Sequence, residues 1–321
     1  MLRVFTSAAC LDHRTPPGYP EKPERLAGVL ARLRESGWAI EEQGEEEAAS
    51  ARDAVLAVHD EAYVARLERA VSRGDSLLDS ADNPLSPGTW NAAWAAVATV
   101  LAAADWVAGA GDRTAFAAVR PPGHHAERAT AMGFCFFNNV AVAAEHLRRQ
   151  GAARVAIFDF DVHHGNGTQH SFESRADVFY ASTHQYPFYP GTGAADETGL
   201  GAGEGFTLNV PLPAGTGDEG YAEAFRTRVF PALRRFAPDV LLLSAGFDAW
   251  QADPLGGMRV TRDGFRAWGD WCAKLAAELC GGRILALLEG GYDLRNLPLL
   301  VEDHLAGLAG GHPTPYRRID E

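Results

Sequence analysis

The chain has 321 residues, 46% of them hydrophobic and 22% charged, with a net charge of −13. That composition supplies a sizeable core and excludes intrinsic disorder. The 42 acidic against 29 basic residues argue against nucleic acid or an anionic membrane surface as a partner, since both call for a basic face; cationic small molecules or basic peptide segments suit the balance better.

At the N-terminus, Met1–Ser7 shows no charged region followed by a long apolar stretch. No apolar run is expected to approach the ~20 residues that span a bilayer. Cys10, Cys135, Cys272 and Cys280 form no Cys-x-x-Cys pair, so the expectation is a cytoplasmic protein with reduced thiols. Lys22 and Lys274 are the only lysines; with the alanine richness, this points to a G+C-rich, bacterial coding sequence. No repeat and no Ser/Gly linker divides residues 1–321, which predicts a single domain.

In chain order, Leu2–Phe5 reads as the first buried strand. The acidic patch Glu41–Glu47 reads as a solvated loop or helix end. Thr89–Val107 has the pattern of a helix. Ala115–Val119 is a second strand and runs into Arg120-Pro-Pro-Gly-His124-His125. Gly133-Phe134-Cys135-Phe136-Phe137-Asn138-Asn139 reads as a loop with a ring lining a slot, followed by a helix over Val140–Arg149. Cys135 there suits a small buried apolar residue rather than a nucleophile. Val155–Phe158 is a third strand, running into Asp159-Phe-Asp161-Val-His163-His164-Gly-Asn166. Val178–Ala181 is a fourth, and Tyr189 in Phe188-Tyr189-Pro190-Gly191 supplies a ring that could form the opposing wall of that slot. Val240–Leu243 runs into Ser244-Ala-Gly246-Phe-Asp248. Phe265, Trp268, Cys272, Leu275 and Leu279 step by 3 and 4, so Asp263–Leu279 is a helix with one core face, stopped by Gly281-Gly282. Ile284–Leu288 is the last strand and runs into Glu289-Gly290-Gly291-Tyr292. Strands alternating with helices predict an α/β fold with a mainly parallel sheet.

Four strands thus end in polar clusters, and parallel sheets place ligand sites outside their carboxyl ends. Asp161-x-His163 puts two donors on one side of an extended segment. Read alone, such a pair is more often a structural ion pair at a strand end. With Asp248 from a second strand end it becomes three ligands with a position open, the pattern of catalytic zinc, although Fe(II) or another divalent ion also suits the set. His124-His125 suits proton transfer to and from water or a leaving amine. A partner on the far ring nitrogen sets tautomer and basicity; Asp159 and Asn166 are placed for that role. Tyr292, after two glycines, can donate to an oxyanion.

RPPGHHA (Arg120–Ala126), GFCFFNN (Gly133–Asn139), DFDVHHGNGT (Asp159–Thr168), GFDAW (Gly246–Trp250) and EGGYDL (Glu289–Leu294) resemble zinc-dependent histone deacetylases. The class II branch, with bacterial deacetylase-like members and acetylpolyamine amidohydrolases, is the most similar. His13–Leu26 and Asp79–Trp90 also match, in the family's order. The resemblance implies the arginase/deacetylase fold, an eight-stranded mainly parallel sheet between helices. It implies one Zn²⁺ on Asp161, His163 and Asp248, His124 and His125 as the proton-handling pair, and Tyr292 as carbonyl polariser. Asp159 would orient His124. Asn166 stands where class I relatives orient the second histidine with an aspartate, which would lower the pKa of His125. Gly133, Phe134 and Tyr189 resemble the acyl-lysine tunnel, Asp82 its rim carboxylate, and Arg25 the arginine of the acetate cavity. A structural K⁺ is implied near Asp159, Asp161, His163, Ser182 and Thr183.

Polyamine-acting relatives carry an acidic gatekeeper after the third zinc ligand; Asp253-Pro254-Leu255 offers Leu255 instead. The expected substrate is therefore an acylated lysine in a peptide or protein, with an acetylated polyamine as the alternative. A two-manganese ureohydrolase needs Asp-x-His-x-Asp, and Gly165 stands at its last position. A silent binding protein would be expected to lack a ligand or the tyrosine, and all are present. Oligomeric state is left open.

Overall fold

The computed structural model describes residues 2–43 and 51–310. Its strands are β1 (Leu2–Thr6), β2 (Ile40–Glu42), β3 (Leu77–Leu78), β4 (Ser80–Pro84), β5 (Thr114–Ala117), β6 (Val155–Asp159), β7 (Val178–Gln185), β8 (Thr207–Leu212), β9 (Val240–Ala245) and β10 (Ile284–Leu288). Eight form one sheet in the order β2-β1-β5-β10-β9-β6-β7-β8, and every pairing is parallel. β3 and β4 make a separate antiparallel hairpin. Helices flank the sheet, as its continuous apolar strands require.

The six strands read from sequence are all present. β2 and β8, which have no sequence counterpart above, are the two edges. Each is partly exposed and so lacks the unbroken apolar run of a central strand. Glu41 and Glu42 belong to β2 rather than to a loop or helix end, and pair with Arg3 and Arg34. Gly44–Glu47, the rest of that acidic patch, lie outside the described residues.

One expectation needs correction. The helix Thr89–Ala108 is, by length and composition, apolar enough to cross a membrane. It is mostly buried instead, with Val97, Val100 and Ala104 fully enclosed, and packs on the helix Asn139–Arg149 and on β1, β5 and β10. The helix Arg262–Cys280 starts where Thr261 Oγ1 accepts the Gly264 N–H and ends at Gly281, whose φ is 62°. Its Phe265, Trp268, Cys272 and Leu275 are buried.

The order β5-β10-β9-β6 positions the candidate site. The four strands that end in polar clusters are consecutive neighbours, so their carboxyl ends lie side by side. Register places Asp159 between Ser182 of β7 and Ser244 of β9.

Beneath this edge lies a buried ion cluster. Arg120 donates two 2.7 Å hydrogen bonds to Glu21, whose Oε1 also accepts from Arg25 at 3.2 Å, and all three side chains are within 1% of full burial. Burial would raise the Glu21 pKa, but Arg120 and then Arg25 hold it down, to about 2 from a usual 4.5. Glu21→Gln should therefore cost about 3–5 kcal/mol at neutral pH, because it leaves two buried guanidinium groups short of an anion. The folded-state pKa is depressed, so the stabilisation is present above 4.5 and disappears as pH falls through about 2. Urea titrations of both proteins should show the gap narrowing across that window; a constant gap would contradict the charge pairing.

Candidate active site

Among the described residues, Asp161, His163 and Asp248 bring one ligand atom each within 4.8 Å of one another. His163 Nδ1 lies 3.1 Å from Asp161 Oδ1 and 3.2 Å from Asp248 Oδ2. Both carboxylates are fully buried, and His163 is slightly exposed. Their other contacts fix them: Asp161 Oδ2 accepts the Gly290 N–H at 2.8 Å, and Asp248 Oδ1 accepts the Val162 N–H at 2.9 Å. A Cβ on Gly246 would strike the Asp161 carboxylate, and one on Gly290 would strike both carboxylates. The floor of the site is thus a cradle that only glycine leaves open.

Charge makes this donor set suited to a cation. Burial and the neighbouring Asp161 push Asp248 up to about 6. Burial opposes charge on Asp161 too, but His124 and His163 hold its pKa low. Burial would likewise strip His163 of its proton, yet the two carboxylates raise it to about 9. The donor set itself offers two enclosed carboxylates and one imidazole, and one nitrogen with two oxygens fits zinc or Fe(II).

His124 and His125 sit beside this group, with ring centroids 4.0 Å apart. His124 Nδ1 is 3.0 Å from Asp159 Oδ2, and its Nε2 is 3.9 Å from Asp161 Oδ1. Burial works against protonation, but Asp159 and Asp161 outweigh it and raise His124 to about 10. His125 Nδ1 donates to Asn166 Oδ1 at 2.7 Å. Burial, then His124 and His163, push its pKa well below the usual 6.5. The two rings thus differ in kind, one on a carboxylate and one on an amide. Asp159 Oδ2 also accepts from Tyr180 at 3.2 Å.

Tyr292 follows Gly290-Gly291. Gly291 has φ 115°, and a Cβ there would meet Leu297 and Phe247. The Tyr292 ring lies edge-on to Phe134 at 5.8 Å and beneath the Arg25 guanidinium at 4.7 Å. Arg25 itself binds the turn: its Nε donates to Gly291 O at 2.6 Å and its Nη2 to Glu289 O at 2.5 Å.

The mouth is aromatic. Gly133 has φ 56° with the His125 ring where a Cβ would go, and Phe134 has φ 70°, a left-handed strain for a bulky residue. Tyr189 is edge-on to His125 at 5.2 Å and to His163 at 6.0 Å. Asp82, on β4, accepts the Gly133 N–H at 3.1 Å and the Tyr189 hydroxyl at 2.9 Å, and also takes a bond from Ser80. Burial would raise its pKa, but these donors outweigh that and lower it. Ser182 bonds His184, while Thr183 Oγ1 and Ser244 Oγ are buried without a hydrogen-bond partner.

A family model described as "Histone deacetylase domain" matches residues 19–308. The chain belongs to the histone deacetylase family. The "Probable deacetylase" of Archaeoglobus fulgidus is 40% identical over 304 residues, covering 94% of this chain and 84% of that one. The "Histone deacetylase-like amidohydrolase" of Pseudomonas aeruginosa is 38% identical over 309 residues, covering 95% and 81%. The crystal structure of an acetylpolyamine aminohydrolase from Burkholderia pseudomallei has a TM-score of 0.85 at 32% identity, covering 96% of this chain and 99% of that one. This family member is a deacetylase or amidohydrolase with the arginase/deacetylase fold.

Some residues at the site of this histone deacetylase relative escape sequence reasoning. Phe188 stacks on His163, with centroids 5.3 Å apart and planes at 15°. Tyr19 packs edge-on against Phe134 at 5.5 Å. Asp253 holds two strategic N–H groups, Tyr292 at 2.7 Å and Leu255 at 2.9 Å. Burial and Asp248 push the Asp253 pKa up to about 7. Leu255 is half-buried in the loop that Asp253 pins. The aromatic pair Phe188-Tyr189 and the motif Pro-Pro-Gly-Tyr19 were the available signals.

Proposed function

We propose that this protein is a zinc-dependent deacylase that removes an acyl group, acetyl above all, from the side-chain amine of lysine in peptides or proteins. The observation that carries it is the adjacency of the Asp161, His163 and Asp248 donors to two histidines held on different partners. Zinc on those three residues would polarise the substrate carbonyl and acidify water. His125, with its proton on Nδ1 toward Asn166, presents Nε2 as general base and then as acid to the leaving amine. His124, on Asp159, supplies positive charge beside it. Tyr292 donates to the developing oxyanion. Gly133, Phe134 and Tyr189 wall the acyl-lysine stem, Asp82 takes substrate N–H groups at the rim, and Arg25 faces the leaving acid. Potassium near Asp159, Asp161, His163, Ser182 and Thr183 would complete the sheet edge. The reading places one domain across residues 1–321 in the cytoplasm.

Leu255 favours lysine over polyamine, since a cationic amine gains nothing from an apolar gate. Acetylated polyamines are the second reading, favoured by the Burkholderia neighbour and by the net charge of −13. The deciding measurement is kcat/KM for acetyl-lysine peptides against acetylated polyamines on one zinc-assayed preparation. A preference for peptides is expected. Polyamines favoured by more than about tenfold, or 1.4 kcal/mol, would reverse the assignment.

A further inference from the structure

We propose that Glu127 is a positioning residue for this chemistry: its carboxylate fixes the orientation of the Asn166 amide and, through it, the tautomer of His125. The proposal rests on the reading of His125 as the base.

The geometry runs outward in three steps. His125 Nδ1 donates to Asn166 Oδ1. The Asn166 amide nitrogen donates to Glu127 Oε1, and more weakly to His125 O at 3.3 Å and Met132 Sδ at 3.5 Å. Glu127 Oε1 also accepts from His170 Nδ1 at 2.8 Å, and this hydrogen bond is the first cause of the raised His170 pKa.

An asparagine amide has two faces of similar shape and opposite polarity. With oxygen toward His125, Nδ1 must carry the proton and Nε2 keeps a lone pair. With the amide turned over, its NH₂ would face Nδ1, which would have to give up its proton to Nε2. The ring could then no longer act as a base on the reaction side. Three acceptors oppose that turn, but two are neutral and long. The carboxylate is the charged one, and charge-assisted bonds are roughly twice as strong as neutral ones. A turned amide would also set its oxygen against the Glu127 carboxylate.

Glu127 is open to test because it does not sit in the core. Its side chain is 24% exposed and borders a surface cavity of about 240 Å³, lined also by Arg128, Glu145, His170 and Arg175. Truncation there opens no enclosed void.

The experiment uses the full-length zinc-loaded protein with selectively ¹⁵N-labelled histidine. Glu127→Ala should lower kcat by about 10-fold or more at nearly constant KM and zinc content, the scale of losing a partner that orients a site histidine. Its His125 signals should move from the Nδ1–H form to a mixture. Glu127→Gln keeps an acceptor for the Asn166 NH₂ and should rescue both readouts to within about threefold. Retention of kcat and the Nδ1–H form in Glu127→Ala would overturn the proposal, as would equal damage in both variants with the tautomer intact. A shifted tautomer with unchanged kcat would uphold the positioning of Asn166 and sink the assignment of His125 as base.

Discussion

Asp248→Ala should yield a folded protein that no longer holds zinc and has lost at least about 10³-fold in turnover. A catalytic metal is worth several kcal/mol of transition-state stabilisation, and about 4 kcal/mol is 10³-fold. The fold should survive because the substitution removes one of two enclosed carboxylates that repel each other. Asp248 is fully buried, and its pKa is driven up to about 6. What the chain loses is the hydrogen bond from the Val162 N–H and the 3.2 Å contact with His163 Nδ1, about 1–3 kcal/mol each. Two measurements separate these effects. Metal analysis should give stoichiometric zinc for the wild type and little for the variant. The increase in Tm on adding zinc, which follows from binding to the folded state alone, should disappear. A variant that keeps stoichiometric zinc would move the metal away from Asp248.

Tyr292→Phe should separate chemistry from metal binding. It should retain zinc and lose about 10²–10³ in kcat, the usual effect of removing one oxyanion donor. Burial, together with Asp248 and Asp161, outweighs Arg25 and holds the phenol pKa well above 10. The hydroxyl is therefore a donor throughout the working pH range. Phenylalanine preserves what the ring does for packing, namely the edge contact with Phe134 and the face beneath Arg25. Its backbone N–H on Asp253 is untouched. KM should change little if the oxygen is gripped mainly in the transition state. Activity equal to wild type would remove Tyr292 from the mechanism.

The central strands were legible because each is buried on both faces and reads as an uninterrupted apolar run, as in Val155–Phe158 and Ile284–Leu288. The edges β2 and β8 were not, since β2 has no buried residue and half of β8 is partly exposed, so their residues resemble those of a loop. Long motifs made the chemistry visible at Asp161, His163 and Asp248, where residue type alone restricts the role. Asp253 illustrates what stays hidden. Nothing about an aspartate before a proline announces that its carboxylate will collect the N–H of Tyr292, thirty-nine residues later. Glu127 is similar: it follows Ala126 directly after the two histidines, yet its contact is with Asn166 on another segment. Links of that kind depend on the sheet order, which brings β5 and β6 to the same edge.

The glycine floor beneath Asp161 and Asp248 has a consequence for mutational scanning. An alanine scan is designed to subtract atoms and read the loss. At Gly246, Gly290 and Gly133 the same substitution inserts a methyl group into a carboxylate or an imidazole. These positions would score as severely as the residues they touch while contributing no functional group. A scan of this protein would therefore outline the site in two ways, once by its reactive side chains and once as the mould around them.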